Sequence, residues 1–460
     1  MQDGHPSAAC VRFATGFQLD SAPAAAREQG RKLLLDWLGC AIRGSVMPQA
    51  ACIKQYTELM GGHEQARVIG RARPDSAYHA ALSNGYFGHI LEMDDVDKES
   101  ISHPGTVVIP AALAVGEWRG ASGRELLAAV IAGYEVMLRV GAAITPAHYQ
   151  VFHTTATTGV FGSAMAAGRL LKLDEEQMTW ALGNAGTMSS GLWEFLQDGA
   201  MSKFLHAGHA AASGVMAACL AQTGFTGPSR ILEGRQGFFA GFARQEPDLD
   251  LFTDFGARFR TASVSIKPYP CCRHTHSAID CARAVRTRLD TGLEAIAGIH
   301  LDTYQAANQV ACNENPGDAR QAQFSLKYVI ARALKTGRIA LADFAPEVLS
   351  DPEVRGLMGL TTVTVDPSID ALTPKAWPAR LTVRLRDGRE LTEYVENPKG
   401  DPENALNWQA VKEKFEILVD GLLPAPACRE IIAMCEDLED LKACADLLGS
   451  VNRHGTFQPG

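Results

Sequence analysis

The sequence predicts a multidomain, mainly α-helical protein in which a large all-helical domain carries a smaller inserted α+β domain. Apolar residues recur at helical spacing through residues 21–241, and alternation typical of strands appears only after about residue 260. The length of 460 residues also suggests two or three domains. Because helical spacing returns near the C-terminus, we expect the helical domain to comprise residues 1–262 and 400–460, and the α+β domain residues 263–399.

Two helices of the first region have recognisable starts. Ser122 with Glu125, and Asp174 with Gln177, have the spacing of capping boxes and precede apolar residues. In such a box the two side chains satisfy backbone N–H groups at the helix start. We therefore predict that helices begin directly after Ser122 and Asp174.

Alanine and glycine crowd two other segments of this region, residues 155–173 and 208–223. Aromatic residues make up only 7% of the chain. Helices rich in small residues pack closely on several sides, so we expect these two inside the helical domain.

The second region combines strands and helices. Alternation at residues 295–304, 361–365 and 380–385 predicts strands, and residues 275–289 and 324–335 have helical spacing. This mixture predicts an α+β domain.

A hairpin and a linker follow. Asp387 and Gly388 separate two alternating runs, which favours a hairpin with a type I′ turn. Residues 398–402, rich in Pro and Gly, are typical of a linker, and residues 404–448 return to helical spacing.

Charge and hydropathy exclude several classes of partner. The formal net charge is −9, whereas binding nucleic acid or an anionic membrane surface needs clustered Lys and Arg. The longest apolar runs, such as residues 126–131, are too short to cross a bilayer. We expect a soluble protein without a nucleic-acid or membrane partner.

The eleven cysteines predict neither a disulfide framework nor a metal centre. An odd number of cysteines, with no secretory signal before them, is typical of a reduced, cytoplasmic compartment. Only Cys271 and Cys272 are close in sequence, and adjacent cysteines lack the C-x-x-C spacing of zinc or iron–sulfur sites. The sequence therefore predicts no metal.

The densest polar cluster of the helical region lies between two predicted helices. It contains Glu92, Asp94 and Asp95, and His103 follows shortly. Crowded acids raise one another's carboxyl pKa values, and a nearby His supplies a base with an ordinary pKa of about 6.5. The cluster is a candidate acid–base site; the alternative is a solvated helix end with an Asx-type turn.

Two further clusters stand at predicted helix starts. His153 and Thr154 precede one Gly- and Ala-rich helix, and Lys203 and His206 precede Gly208 at the start of the other. Free N–H groups and the positive dipole end at a helix start favour carboxylates. The alternatives are a Thr that merely caps its helix, and a Lys and histidines at the edge of the core.

The α+β region adds Lys267, His276 and Tyr328. The first two flank the start of a predicted helix, whereas Tyr328 alone would be read as a core aromatic. No Gly-rich phosphate loop, G-x-S-x-G elbow or nicotinamide fingerprint accompanies these clusters. With these cofactor motifs absent from the sequence, the clusters point to acid–base chemistry without a cofactor.

In their order along the chain, these motifs resemble those of a known family. They are Glu92-Met-Asp94-Asp95 with Ser102-His103-Pro104-Gly105, then Phe152-His153-Thr154, then Lys203-Phe-Leu-His206-Ala-Gly208-His209, then Lys267-Pro-Tyr-Pro-Cys. The chain resembles the MmgE/PrpD family, which includes 2-methylcitrate dehydratase, cis-aconitate decarboxylase and iminodisuccinate epimerase, over nearly its whole length. The resemblance implies a helical domain with a smaller α+β lid, a homodimer, and no metal or organic cofactor.

The resemblance also implies a set of site residues. These are Asp94, Asp95, His103, His153, Lys203, His206, His276 and Tyr328. The motifs add Glu92, Thr154 and Lys267 as substrate-binding candidates, and comparison with the epimerase adds Tyr149.

The chain departs from the decarboxylase pattern near the acidic pair. It has Glu92 where the decarboxylases have an Asp, Val96 after the pair, and one extra residue before His103. These departures weaken the expectation that it decarboxylates cis-aconitate.

The leading hypothesis is a lyase that abstracts a proton next to a carboxylate of a small di- or tricarboxylate, such as citrate or methylcitrate, and expels water. His103 is the candidate base or acid, tuned by Asp94 or Asp95. Lys203 and His153 are expected to stabilise the enediolate-like charge, and Tyr328 to protonate the leaving group. The alternatives are decarboxylation, epimerisation of an imino- or amino-dicarboxylate, and a catalytically silent dimer that binds an acid.

Overall fold

A computed structural model describes residues 5–197 and 199–457, which fall into two units. The first unit comprises the chain up to Ile90, Asp94–Val264 and the chain from Asn407 onwards. The second comprises Leu91–Met93 and Ser265–Leu406. The first is helical and the second contains the sheet, which confirms the predicted mainly α, two-domain architecture.

The first unit consists of helices joined by loops and short 3₁₀ turns. Its helices are α1 (Pro6–Gly16), α2 (Ala24–Gly44), α3 (Ala50–Met60), α4 (Ala77–His89), α5 (Gly105–Arg119), α6 (Gly123–Ile144), α7 (Thr154–Leu170), α8 (Glu175–Thr187), α9 (Ser202–Gln222) and α10 (Phe238–Phe242), then α18 (Trp408–Val419), α19 (Ala425–Glu436) and α20 (Ala445–His454). Both predicted capping boxes are confirmed, at the starts of α6 and α8. Helix α1 lies before the region for which helices were predicted.

The core of the first unit is formed where α4, α5, α7 and α9 pack on one another. Nearly every residue of α7 is buried, as its small side chains predict. The apolar run 126–131 belongs to α6, a helix of 22 residues. Within the described chain, α6 and α9 are long and apolar enough to cross a membrane, and both lie largely buried in this unit, as core helices do.

Gly208 sets the close approach of α9 to α4. A Cβ added there would lie 2.3 Å from the Leu82 carbonyl oxygen, a backbone atom that cannot rotate away. We expect Gly208→Ala to lower the free energy of unfolding by about 1–3 kcal/mol, measured by urea denaturation, because the two helices must separate. Gly241→Ala is the control, since nothing lies within 4 Å of its added Cβ. Equal stability of the two variants would contradict this packing.

The C-terminal segment is tied to the first helices by a buried ion pair. The Lys414 ammonium of α18 contacts the Asp36 carboxylate of α2, and both side chains are almost fully buried. Burial opposes the charge on Lys414, but attraction from Asp36, together with smaller contributions from Cys40 and Asp94, raises the pKa of the ammonium group. The pair therefore links the two ends of the chain within one unit.

A buried histidine should make this unit sensitive to acid. His148 Nδ1 lies 2.8 Å from the Phe242 carbonyl oxygen, and its Nε2 lies 2.8 Å from the Thr157 hydroxyl. Burial lowers the pKa of His148 to about 4, whereas an unfolded chain has a His pKa of about 6.5. The unfolded state therefore takes the proton first, and stability present above about pH 6.5 is lost as the pH falls towards about 4.

We expect this loss to amount to about 3 kcal/mol. Urea titration of wild type and His148→Gln at several pH values across this window measures the free energy of unfolding and so checks the expected loss. The variant should show a shallower pH dependence, by about one bound proton. Parallel curves would show that His148 is not the titrating group.

The second unit builds helices around one four-stranded sheet. Its elements are α11 (His276–Arg288), β1 (Ile296–Thr303), α12 (Gln305–Val310), α13 (Ala319–Gln323), α14 (Leu326–Thr336), α15 (Pro346–Leu349), α16 (Pro352–Gly359), β2 (Thr361–Val365), α17 (Pro367–Asp370), β3 (Ala379–Leu385) and β4 (Glu390–Val395). The strand order is β2-β1-β3-β4, with β1 parallel to β2 and the other pairs antiparallel. The predicted strands and the two longer helices are confirmed.

The hairpin between β3 and β4 is confirmed, but its predicted type I′ turn is wrong. Gly388 has a φ of 90°, whereas Asp387 does not have the positive φ that a type I′ turn requires. The Gly388 N–H donates to the Leu385 carbonyl at 3.0 Å, and the Leu385 N–H donates to the Arg389 carbonyl at 2.8 Å. These bonds define a three-residue loop that ends on a glycine in the left-handed region.

Candidate active site

The loop between α4 and α5 gathers two histidines around one carboxylate of the first unit. His89, the last residue of α4, donates from Nδ1 to Asp94 Oδ2 at 2.7 Å. His103 Nδ1 lies 3.6 Å from the same oxygen and 2.6 Å from the Asp95 carbonyl oxygen. All four residues are buried, so the predicted alternative of a solvated helix end is wrong.

Asp95 fixes the end of this loop against two helices. Its carboxylate accepts from the Gly105 N–H at the start of α5, at 2.9 and 3.1 Å, and from the Tyr134 hydroxyl of α6 at 2.8 Å. Burial nevertheless raises the pKa of Asp95 well above its ordinary value. A Cβ on Gly105 would lie 2.9 Å from both carboxylate oxygens and from the Tyr134 oxygen. Residue 105 must therefore be glycine for Asp95 to make these hydrogen bonds. The bonds in turn hold the Asp95 carbonyl group, which orients His103.

The same loop has an unusual backbone. Glu92 and Ile101 have φ values of 55° and 47°, in a region that non-glycine residues rarely occupy. Asp97 and Ser102 pair through their backbones, and the Ser100 N–H and hydroxyl donate to the Asp97 carboxylate. The Asp97 side chain thus bonds the backbone three residues on, one residue further than in the predicted Asx-type turn, and it does so in a buried loop. Strained residues held by surrounding bonds are common at functional sites.

A second pair of histidines adjoins this loop. His153 precedes α7, and its Nδ1 lies 3.2 Å from His206 Nδ1 of α9. Its ring lies 4.8 Å from the Trp193 ring, between centroids, and Trp193 also contacts Tyr149. Burial, followed by the positive charges of His206 and Lys203, lowers the pKa of His153 well below its ordinary value. His153 is therefore neutral at neutral pH.

The starts of α7 and α9 differ from the predictions. No threonine caps α7: the Thr155 hydroxyl accepts from the His103 N–H at 3.0 Å, and the buried Thr154 hydroxyl has no partner among the described residues. Helix α9 begins at Ser202, so Lys203 lies buried in its first turn. Gly208 lies in the second turn of α9, and its N–H is therefore not at a helix start, contrary to the prediction.

Three histidine rings meet in this part of the first unit. One ring nitrogen from each of His89, His103 and His153 lies within 4.8 Å of the others. His89 was not among the site residues predicted from the sequence, because it stands on a buried helix before the acidic cluster. The signal that could have found it is its spacing of five residues from Asp94, which brings a helix-terminal side chain back over the following loop.

The remaining predicted residues belong to the second unit. Lys267 Nζ donates to the Glu92 carbonyl at 3.0 Å and lies 3.9 Å from the Glu92 carboxylate. His276 begins α11, where Arg273 donates to its Nδ1 at 2.8 Å and its Nε2 lies 3.3 Å from the Cys271 carbonyl oxygen. The Lys267–Glu92 pair neutralises two charges that are both buried.

Tyr328 lies in the core of the second unit. It is fully buried among apolar side chains, and its hydroxyl donates to the Asp343 carbonyl oxygen. Burial raises the pKa of Tyr328 to about 12. These contacts are those of a core residue, and they give no support to the predicted role of Tyr328 in protonating a leaving group.

Two family models match the chain. The model of the MmgE/PrpD N-terminal domain matches residues 9–250, and that of the MmgE/PrpD C-terminal domain matches residues 269–440.

Several relatives match over nearly their full length. Cis-aconitate decarboxylase of Aspergillus terreus is 27% identical, over 96% of this chain and 94% of the relative. Cis-aconitate decarboxylase of Mus musculus is 27% identical, over 91% and 88%. The 2-methylcitrate dehydratase of Cupriavidus necator is 25% identical, over 94% and 93%. These relatives are enzymes named for two different reactions.

Proposed function

The chain belongs to the MmgE/PrpD family, and from that membership we propose that it is a cofactor-independent lyase of small polycarboxylates. In the proposed reaction a proton leaves the carbon next to a carboxylate, and water is then eliminated. Citrate and 2-methylcitrate represent the substrate class. The observation that carries the proposal is the buried arrangement of His103 against Asp94 and the Asp95 carbonyl.

His103 is the proposed general base. When its Nδ1–H donates to the Asp95 carbonyl, its Nε2 carries the lone pair that accepts a proton. The imidazolium that forms has the Asp94 carboxylate 3.6 Å from Nδ1, which stabilises its charge in a buried setting. Asp95 and Tyr134 act as positioning residues, since they hold the carbonyl and the loop.

The substrate carboxylate needs positive charge and donors as the carbanion forms. Lys203 supplies a buried ammonium group in the first turn of α9. The Thr154 hydroxyl, which has no partner among the described residues, supplies a donor at the start of α7. One proton lies in the hydrogen bond between His153 Nδ1 and His206 Nδ1. When His206 carries that proton, neutral His153 has its own proton on Nε2 and can donate it. Fixed donors aimed at developing charge are usually the largest catalytic contribution.

The proposed elimination transfers one proton through His103 and releases one water molecule. The C–H electron pair forms the enediolate-like carbanion, and the proton moves to His103. The carbon–oxygen bond to the neighbouring hydroxyl breaks as the carbon–carbon double bond forms, and protonated His103 is the acid that converts the leaving hydroxide into water.

Decarboxylation is the second candidate, and the matches to cis-aconitate decarboxylases favour it. There the carbanion forms when a carbon–carbon bond to a carboxylate breaks and carbon dioxide leaves. Protonated His103 then donates to carbon. The same residues serve both reactions, and the products distinguish them.

A substrate panel tests the proposal. Chelator-treated protein is incubated with citrate, 2-methylcitrate, cis-aconitate and an amino-dicarboxylate, and products are followed by ultraviolet absorbance and carbon dioxide release. A new unsaturated acid without gas supports the hydro-lyase, and gas release supports the decarboxylase. Inversion of a stereocentre with neither product would replace both by an epimerase. Calorimetric binding without any turnover would overturn the enzymatic proposal.

A further inference from the structure

We propose that His89, His103 and His153 form a binding site for one divalent transition-metal ion of the zinc type. No metal was predicted from the sequence, because the cysteine spacing gave no sign of one and 13 and 49 residues stand between these histidines. This inference goes beyond the proposed function, which needs no metal.

The distances between the rings suit a tetrahedral ion. The ring centroids lie 4.9 Å apart for His89 and His103, 5.7 Å for His89 and His153, and 6.2 Å for His103 and His153. Zinc with Zn–N bonds of about 2.1 Å places three imidazole centroids about 5 Å apart. Two nitrogen atoms bound to one tetrahedral zinc ion lie about 3.4 Å apart. One nitrogen from each of the three rings already lies within 4.8 Å of the others. Side-chain rotations that move these atoms by roughly 1 Å therefore complete the site.

Two of the rings are held as metal-binding histidines usually are. A ligating His typically donates its other ring N–H to a carboxylate or a backbone carbonyl, which fixes the tautomer and the ring orientation. His89 Nδ1 donates to the Asp94 carboxylate, and His103 Nδ1 donates to the Asp95 carbonyl. In both rings Nε2 is then the nitrogen that presents a lone pair to the ion.

Unpartnered buried nitrogens are the independent sign of a ligand. The Nε2 atoms of His89 and His153 are buried and have no hydrogen-bond partner among the described residues. A buried polar atom without a partner costs about 1–3 kcal/mol, so native structures rarely leave two close together. When the His153 Nδ1–H donates to His206 Nδ1, its Nε2 also presents a lone pair.

The ligand set selects the class of ion. Neutral imidazoles suit zinc and its neighbours in the transition series, whereas magnesium and calcium prefer oxygen ligands. Three protein ligands leave a fourth position for water or a carboxylate. His103 cannot accept a proton while it ligates an ion, so the metal-bound form and the proposed base exclude each other.

Calorimetry with zinc alone tests binding, without substrate and independently of any reaction. Chelator-treated wild-type protein should bind one zinc ion that His89→Gln and His153→Gln each weaken by at least about a hundredfold, more than the loss of a supporting residue costs. His79→Gln is the matched control, since His79 Nδ1 also contacts a carboxylate, Asp75, at 3.0 Å. The control should bind zinc as wild type does.

Cobalt titration of wild-type protein needs no variant and therefore does not depend on variant folding. A tetrahedral site gives intense visible absorption at one equivalent, and zinc abolishes it. Weak octahedral absorption, no binding, or zinc affinity unchanged in both His89→Gln and His153→Gln would overturn the proposed site.

Discussion

Replacing His103 by asparagine is expected to lower kcat by about a hundred- to ten-thousandfold on the true substrate. Asparagine keeps a side-chain N–H that can reach the Asp95 carbonyl, but it has no group that accepts a proton at neutral pH. The loop should therefore stay folded while the base is lost. KM should change little by comparison, because Lys203 and His153, the proposed carboxylate-binding residues, remain.

The matched control is His79→Asn, which removes another histidine that contacts a carboxylate in the first unit. Steady-state kinetics of both variants and wild type, together with thermal unfolding, separate lost chemistry from lost folding. Turnover of the His103 variant within a few-fold of wild type would show that another group is the base.

Replacing Lys414 by methionine is expected to lower the free energy of unfolding by about 3–5 kcal/mol. Methionine fills most of the volume of the lysine stem, but it leaves the Asp36 carboxylate buried without its partner. Because Asp36 lies on α2 and Lys414 on α18, the loss should loosen the attachment of the C-terminal helices. Urea denaturation followed by circular dichroism measures the change.

The double variant, with Asp36→Leu added to Lys414→Met, tests the physical cause. It removes the uncompensated charge and should recover much of the stability, since apolar replacements of buried ion pairs are often neutral or stabilising. If the double variant is as unstable as the sum of the two single variants, the loss comes from packing and not from an unpaired charge.

The fold was predictable because its signals are local. The capping box at Ser122 depends on residues three apart, and the strand at residues 361–365 depends on simple alternation. The prediction of a type I′ turn at Asp387 was wrong for a related reason. The sequence indicates which residues form the turn, but the backbone dihedral of Asp387 depends on the pairing of the flanking strands.

The site was only partly predictable, because its contacts join distant segments. Acid–base residues were recognisable at Asp94 and His103, which lie in one loop. His89 reaches this loop only through the direction in which α4 ends, and His153 meets His206 across 53 residues of sequence. Neither composition nor local spacing indicates the contact between His153 and His206, whereas the five-residue spacing between His89 and Asp94 is a weak local signal. Tyr328 shows the converse, since a residue that the family resemblance placed in the site lies in an apolar core.

Loss of deuterium from a labelled substrate tests the central claim, that His103 takes a proton from carbon next to a carboxylate, most directly. Chelator-treated protein is incubated in ordinary water with the polycarboxylate that it turns over, deuterated at the carbon next to a carboxylate, and the product is examined by mass spectrometry and NMR. We expect the product formed by wild type to have lost one deuterium from that carbon, and this loss to be about a hundred- to ten-thousandfold slower with His103→Asn. Full retention of deuterium in the product, or equally fast loss with the variant, would contradict the account.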